Sequence, residues 1–170
     1  MEETFSNSAT SAEDVLQVVV FQLAGEEFGM DIMNVKEIIR IPEMTHMPQA
    51  PDYVEGIVNI RGDVIVAINM AKLFNVQFRE QDHNSRIIVT ELDDIIVGLM
   101  VESVTEVLRI QKSEIDPAPD MLVSRNESEA VKGVGKLDER LLLLIDSKKV
   151  LGKDEQLNIV ESGYKEAVSS

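Results

Sequence analysis

One stretch of this chain occurs twice, and that repeat limits the possible architecture more than any other property of the sequence. Residues 18–41, VVVFQLAGEEFGMDIMNVKEIIRI, return without a gap 69 positions later as residues 87–110, IIVTELDDIIVGLMVESVTEVLRI. Identical residues fall at Val20/Val89, Leu23/Leu92, Gly29/Gly98, Val35/Val104, Glu37/Glu106, Arg40/Arg109 and Ile41/Ile110. A second match pairs GIVNIRGDVIVAINMAKLFN from Gly56 with GVGKLDERLLLLIDSKKVLG from Gly133, at an offset of 77. The later copy therefore has 77 − 69 = 8 more residues in its connection. A solenoid needs roughly three or more stacked units. Two copies imply one small domain built twice, its halves face to face, and a junction of that kind is where a binding groove forms.

A chain of 170 residues suffices for one ordinary domain or two very small packed subdomains. Its hydrophobic content of 44% supports a core, but only 4% of residues are aromatic and Trp is absent, so Val, Ile, Leu and Met must do the packing. The net charge of −15, from 16 basic and 31 acidic residues, argues against nucleic acid, whose phosphates need clustered Lys and Arg. It also argues against direct binding to an anionic membrane. MEETF leads into the polar SNSATSAED without the features of a secretory signal, and no stretch approaches the roughly 18 apolar residues of a membrane span. The absence of Cys removes disulfides, thiolate metal sites and thiol nucleophiles together. A cytoplasmic location is the expectation.

Local patterns predict a mainly β chain of short strands and regular turns, which points to small closed barrels rather than a parallel sheet. Residues 1–14 read as a disordered acidic tail. Strands are expected at Gln17–Leu23 and Phe28–Ile32, joined through Gly25. Ile32, Val35, Ile38 and Ile39 then suit one or two helical turns, ended at Ile41-Pro42. Gly56–Ile68 reads as a hairpin around Arg61-Gly62-Asp63, and Met70–Phe74 as a helical turn. The polar run Asn75–Ser85 is the best internal boundary. The second unit repeats the plan: strands Ile87–Leu92 and Ile95–Val101 around Asp93-Asp94, a helical Ser103–Val107, a proline-bearing connection over 116–120, a hairpin of Val131–Leu137 with Leu141–Ile145, and a closing turn at Ser147–Leu151. Residues 154–168 form a candidate amphipathic C-terminal helix.

No catalytic constellation is present in the sequence. His46 and His83 lie in loops without the partners that a metal site requires. There is no phosphate-binding GxxxxGK[ST] or GxGxxG and no nucleophile elbow; Gly133-Val134-Gly135 opens a strand and lacks the third glycine. Glu26-Glu27 and Asp93-Asp94 read as solvated turn tips rather than an acid/base pair. The expectation is a non-enzyme without cofactors. Arg61-Gly62-Asp63 reads as a turn, with Gly62 free to take a positive φ; its arginine stands opposite Asp138 in the second copy.

The segments FGMDIMNVKEIIR, PDYVEGIVNIRGDVIVAINMAKLF, VGLMVESVTEVL and DPAPD resemble, in order over residues 15–152, the CheW-like family of chemotaxis coupling proteins. VEGIVNIRGDVIVAIN is the most specific part. Val66 stands where that family has a proline and Asn69 where it has an Asp; Ile57, Ile60, Val64, Ala67 and Met70 are apolar swaps. The resemblance implies two pseudo-symmetric five-stranded SH3-like barrel subdomains with short helices, approximately 15–80 and 81–152. It implies a non-catalytic adaptor whose partners are the cytoplasmic tips of methyl-accepting chemoreceptors and the regulatory domain of the histidine kinase CheA, with the membrane involved only through receptors. Carried over by position, a receptor-binding groove would comprise Val19, Ile32, Val35, Glu37, Ile38, Asn59, Arg61 and Val104, with a Glu37–Arg61 pair. Kinase contacts would lie in loops at the outer ends of the barrels. An adaptor of the CheV type without its receiver is disfavoured by the roughly 18 residues after Gly152, too few for a further domain. A small-molecule-binding barrel would need apolar residues around an enclosed cavity.

Overall fold

The two copies are folded through one another. In a computed structural model, which describes residues 14–77, 80–92, 95–117 and 130–152, the first copy supplies β1 (Val15–Leu23), β2 (Glu26–Asp31), β3 (Glu37–Arg40), β4 (Val54–Ile60), β5 (Asp63–Asn69) and the short helix α1 (Met70–Leu73). The second supplies β6 (Arg86–Leu92), β7 (Ile95–Val101), β8 (Ser103–Gln111), the two-residue β9 (Ile115–Asp116), β10 (Val131–Leu137) and β11 (Arg140–Ile145). The expected tail and C-terminal helix, and the Asp93-Asp94 tip, lie outside the described residues.

Strand order is β8-β1-β2-β11-β10-β9 in one sheet and β3-β6-β7-β5-β4 in the other. Under the two repeat offsets, β1 matches β6, β2 matches β7, β3 matches β8, β4 matches β10 and β5 matches β11. The two orders are then the same, and each sheet combines the first hairpin of one copy with the rest of the other. The chain crosses between sheets at 32–36, where the Lys36 N–H donates to the Val89 carbonyl at 2.8 Å, and again at Glu102, whose N–H donates to the Gln22 carbonyl at 3.1 Å. One sheet is therefore built from residues 37–101 and the other from 15–31 with 103–145. The polar run 75–85, expected to separate the units, instead connects β5 and α1 to β6 within a single sheet. The parallel pairs β2–β11 (Gly29 beside Leu144) and β5–β7 (Ala67 beside Gly98) join the exchanged hairpins.

Each sheet curls until its far strands meet. Arg61, in the β4–β5 turn, bonds to Glu37 on β3 at the opposite edge of its sheet. Arg140 at the start of β11 bonds both to Glu27 on β2 and to Glu106 on the edge strand β8. The result is a pair of pseudo-symmetric, SH3-like five-stranded barrels. β9 adds a sixth strand to the first, and its counterpart in the second is the isolated Thr45–Ile57 bridge.

Both barrel interiors are filled with side chains. Val18, Val20, Ile110, Leu142 and Leu144 pack in one, and Val58, Ile65, Ala67, Ile87, Val89 and Met100 in the other. The largest core lies between the barrels and draws on both sheets, on α1 and on Val150 and Leu151. Aromatic residues are few, but Phe28 stacks on Phe21 at 5.6 Å between ring centroids and leans on Phe74 at 6.1 Å. The repeated glycines follow from this packing. A Cβ at Gly98 would lie 2.4 Å from Ile87 Cγ2, and one at Gly29 would lie 3.0 Å from Leu142 and Leu144. At Gly56 and Gly133, which match across the copies, a Cβ would press on the carbonyl oxygens of Thr45 and Asp116, at 2.6 and 2.9 Å.

Two expected helical stretches are corrected. Only Ile32–Asn34 forms a 3-10 turn, capped by the Asp31 carboxylate, and Glu37–Arg40 is extended as β3. Ser103–Val107 is the first part of the nine-residue β8. Cross-strand pairing decides both cases: the β-branched Val104, Thr105 and Val107 lie along β1, with Val104 opposite Phe21 and Val107 opposite Val19. A short apolar run does not separate helix from strand by periodicity. The closing turns form as expected, α1 in the first copy and the 3-10 turn Ser147–Lys149 in the second. Asn69, at the position of the family's Asp, serves as the α1 N-cap by accepting from the Lys72 N–H at 3.1 Å. Val66, at the position of the proline, is fully buried in the central core.

Candidate functional site

The two crossings between the sheets and the edge strands that follow them carry matched apolar residues, and the match follows from the repeat. Val35 closes the 3-10 turn at the first crossing between sheets; Val104 begins β8 just after the second. Both are half-buried and pack against the central core, as does Ile32. Along β3, Ile39 packs into a barrel interior beside Ile87, so its neighbour Ile38 points to the other side, where Ile88 belongs to the central core. Along β8, Val107 lies beside Val19 and points to that side too. Ile38 and Val107 are repeat equivalents, 38% and 50% exposed on edge strands. Val35 with Val104 and Ile38 with Val107 are thus matched pairs at the crossings and edge strands, on the side that faces the central core.

Among the residues assigned to the groove by resemblance, Val19 is 1% exposed. It belongs to the central core, opposite Val107 on the neighbouring strand, and presents no surface of its own. Asn59 and Arg61 are exposed, and they shape one turn. Arg61 and Gly62 have φ of 51° and 90°, as a two-residue type I′ hairpin loop requires, and Asn59 Oδ1 accepts from the Gly62 N–H at 3.0 Å. This turn directs the Arg61 guanidinium to Glu37. The Arg61 side chain is 73% exposed, so the pair contributes at most about 1 kcal/mol to stability and acts mainly by placing charge beside Ile38.

The second copy reproduces this device with different residues. Glu106 matches Glu37, but the residue matching Arg61 is Asp138. The required arginine comes from the other end of the turn: Arg61-Gly62-Asp63 becomes Asp138-Glu139-Arg140. Arg140 donates through Nε and Nη2 to the two Glu27 oxygens at 3.0 and 2.7 Å, and through Nη2 to Glu106 at 2.9 Å. The hydrogen bonds to Glu27 first, and then to Glu106, raise its pKa above the ordinary arginine value. Glu27, expected as a solvated turn tip, is half-buried in this fork. Arg140 and Val107 were not singled out from the sequence. The repeat contained the signal for both, because Val107 matches Ile38 and an identical glutamate needs an equivalent cation.

An open hollow of about 420 Å³ is lined by Val15, Gln17, Ile32, Met33 and Lys112 among others. A crevice of about 30 Å³ beside Leu23, Asn69 and Glu102 has room for about one water. His46 and His83 are both exposed in loops. Among the described residues, no three or more His, Asp or Glu side chains are grouped so that they could hold a metal ion. No helix among them is long and apolar enough to cross a membrane.

Two side-chain-filled barrels packed on a shared core, with ion pairs closing each curled sheet, define the class of paired SH3-like barrels. The comparisons give that class its family. A model of the CheW-like domain matches residues 17–155. The chemotaxis protein CheW of Klebsiella aerogenes is 34% identical over 139 residues, 82% of this chain and 83% of its own length. That of Helicobacter pylori is 33% identical over 142 residues, 84% and 85% of the two chains. The crystal structure of the scaffolding protein TtCheW from Thermoanaerobacter tengcongensis matches with a TM-score of 0.74 at 32% identity, covering 82% of this chain and 90% of that one. The chain belongs to the CheW-like domain family, and its role is that of a chemotaxis adaptor or scaffold.

Proposed function

We propose that the protein is a non-catalytic cytoplasmic adaptor that couples methyl-accepting chemoreceptors to the histidine kinase CheA, with the seam between the barrels holding the helical tip of the receptor. What supports this reading is that the repeat-equivalent couples Val35/Val104 and Ile38/Val107 are partly exposed aliphatics on the side that faces the core between the barrels. An amphipathic helix laid in such a channel presents anchors at i, i+3, i+4 and i+7, and aliphatic side chains on both walls suit that spacing. Glu37 and Arg61 beside Ile38 supply polar groups that fix orientation at the rim. The kinase regulatory domain then uses the outer ends of the barrels, away from the seam, which lets one adaptor hold both partners. A conformational signal passes through it without chemistry on this chain.

The test is a titration against a receptor-tip helical hairpin. Native protein is expected to bind it, and Arg61→Glu, which sets two carboxylates against each other at the rim, to weaken binding by roughly tenfold. The thermal transition should stay within about 1 kcal/mol of native, because the pair is a surface one. Equal affinity of the two proteins would remove Arg61 from the site.

A further inference from the structure

We infer that Met33 is a peroxide-sensitive contact residue of the receptor groove, through which oxidation weakens receptor binding; this rests on the reading of the seam given above. Its side chain is 85% exposed, the highest among the exposed large hydrophobics of the described residues. The exposure is built in. Asp31 Oδ1 accepts from the Met33 N–H at 2.9 Å and caps the 3-10 turn Ile32–Asn34, so the backbone is pinned while the thioether projects outward. The residue lies at the rim of the open hollow, next to Ile32, which packs on the central core. An exposed methionine suits a binding surface, because the unbranched, polarisable thioether adapts to its partner.

The other described methionines are shielded. Met30 and Met70 are fully buried, Met100 is 5% exposed, and Met44 and Met47 pack against the cores. The chain has no cysteine, so its oxidisable sulfur is all in methionine. With hydrogen peroxide as oxidant, the Met33 sulfur attacks one peroxide oxygen, an S–O bond forms and the O–O bond breaks. The departing hydroxide takes the proton from the hydroxyl now on sulfur and leaves as water. Sulfur loses two electrons and peroxide gains them. The product sulfoxide is polar where the thioether was apolar, and a dithiol-dependent sulfoxide reductase restores it.

The experiment treats the full chain with graded hydrogen peroxide, locates added oxygen by peptide mass mapping, and titrates each sample with a receptor-tip helical hairpin. Met33 should acquire oxygen before Met30, Met70 and Met100, and affinity should fall in step by roughly tenfold, the effect of losing one well-packed interface side chain. Met33→Leu, whatever its affinity before treatment, should keep that affinity through the same treatment; Met33→Gln should bind weakly without oxidant. Full oxidation of Met33 with unchanged affinity overturns the inference, as does an equal loss in treated Met33→Leu. Failure of untreated native protein to bind the hairpin instead overturns the receptor-groove reading, and this inference with it.

Discussion

Val35→Glu is expected to abolish binding of the receptor tip, by at least roughly a hundredfold, while the protein still folds. Val35 lies where the chain leaves one sheet for the other. Its N–H closes the 3-10 turn onto the Ile32 carbonyl at 3.1 Å, and its side chain is half-buried against the central core. A glutamate there keeps that backbone bond and reaches water with its carboxylate, so the fold loses part of one apolar contact. A partner helix, in contrast, would have to bury that carboxylate between the two walls without a cation, which costs far more than the missing methyl groups. Calorimetric titration together with a thermal melt separates the two effects. A retained transition with lost binding supports the groove. Unchanged binding excludes Val35 from it, and global unfolding makes Val35 a core residue.

Phe28→Ala should have the opposite profile, severe for stability and mild for recognition. Phe28 is 1% exposed in the core between the barrels, stacked on Phe21 and touching Phe74. It unites β2, β1 and the segment after α1, so its removal leaves a cavity at the point where both sheets meet. Deleting a buried phenylalanine costs about 3–5 kcal/mol, against a total stability of about 5–15 kcal/mol for an ordinary domain. At this chain length the melting temperature should fall by about 6–20 °C. Leu141→Ala provides the control: at 66% exposure it should stay within about 0.5 kcal/mol of native. Receptor affinity measured well below the lowered transition should remain close to native. Equal melting of the two variants would contradict the placement of the main core between the barrels.

Much of this could be read from residues before any coordinates. The repeat located nearly every strand, because alternation of β-branched residues and the two-residue turns at Ala24-Gly25 and Arg61-Gly62 are local signals. The pairing of Glu37 with Arg61 was also foreseen, and the structure contains it. What escaped was set by distant partners. Whether Ser103–Val107 coils or extends depends on β1, more than 80 residues earlier in the chain. The exchange of hairpins rests on the parallel pairs β2–β11 and β5–β7, which leave no mark in local composition. Arg140 was missed because symmetry was sought position by position, whereas the second copy moved its arginine two places along the turn and kept the ion pair. Val19 was assigned to the groove surface because a sequence does not distinguish the floor of a channel from its walls.

Coupling of receptor state to kinase activity through a chain that holds both partners is tested most directly by reconstitution. Purified CheA, membrane-embedded chemoreceptor and this protein are combined, and kinase autophosphorylation is followed with and without attractant. The complete mixture should raise autophosphorylation well above that of kinase and receptor alone, attractant should suppress the increase, and Val35→Glu should supply neither effect. Autophosphorylation of kinase and receptor together that is unchanged by adding the native protein would contradict this coupling.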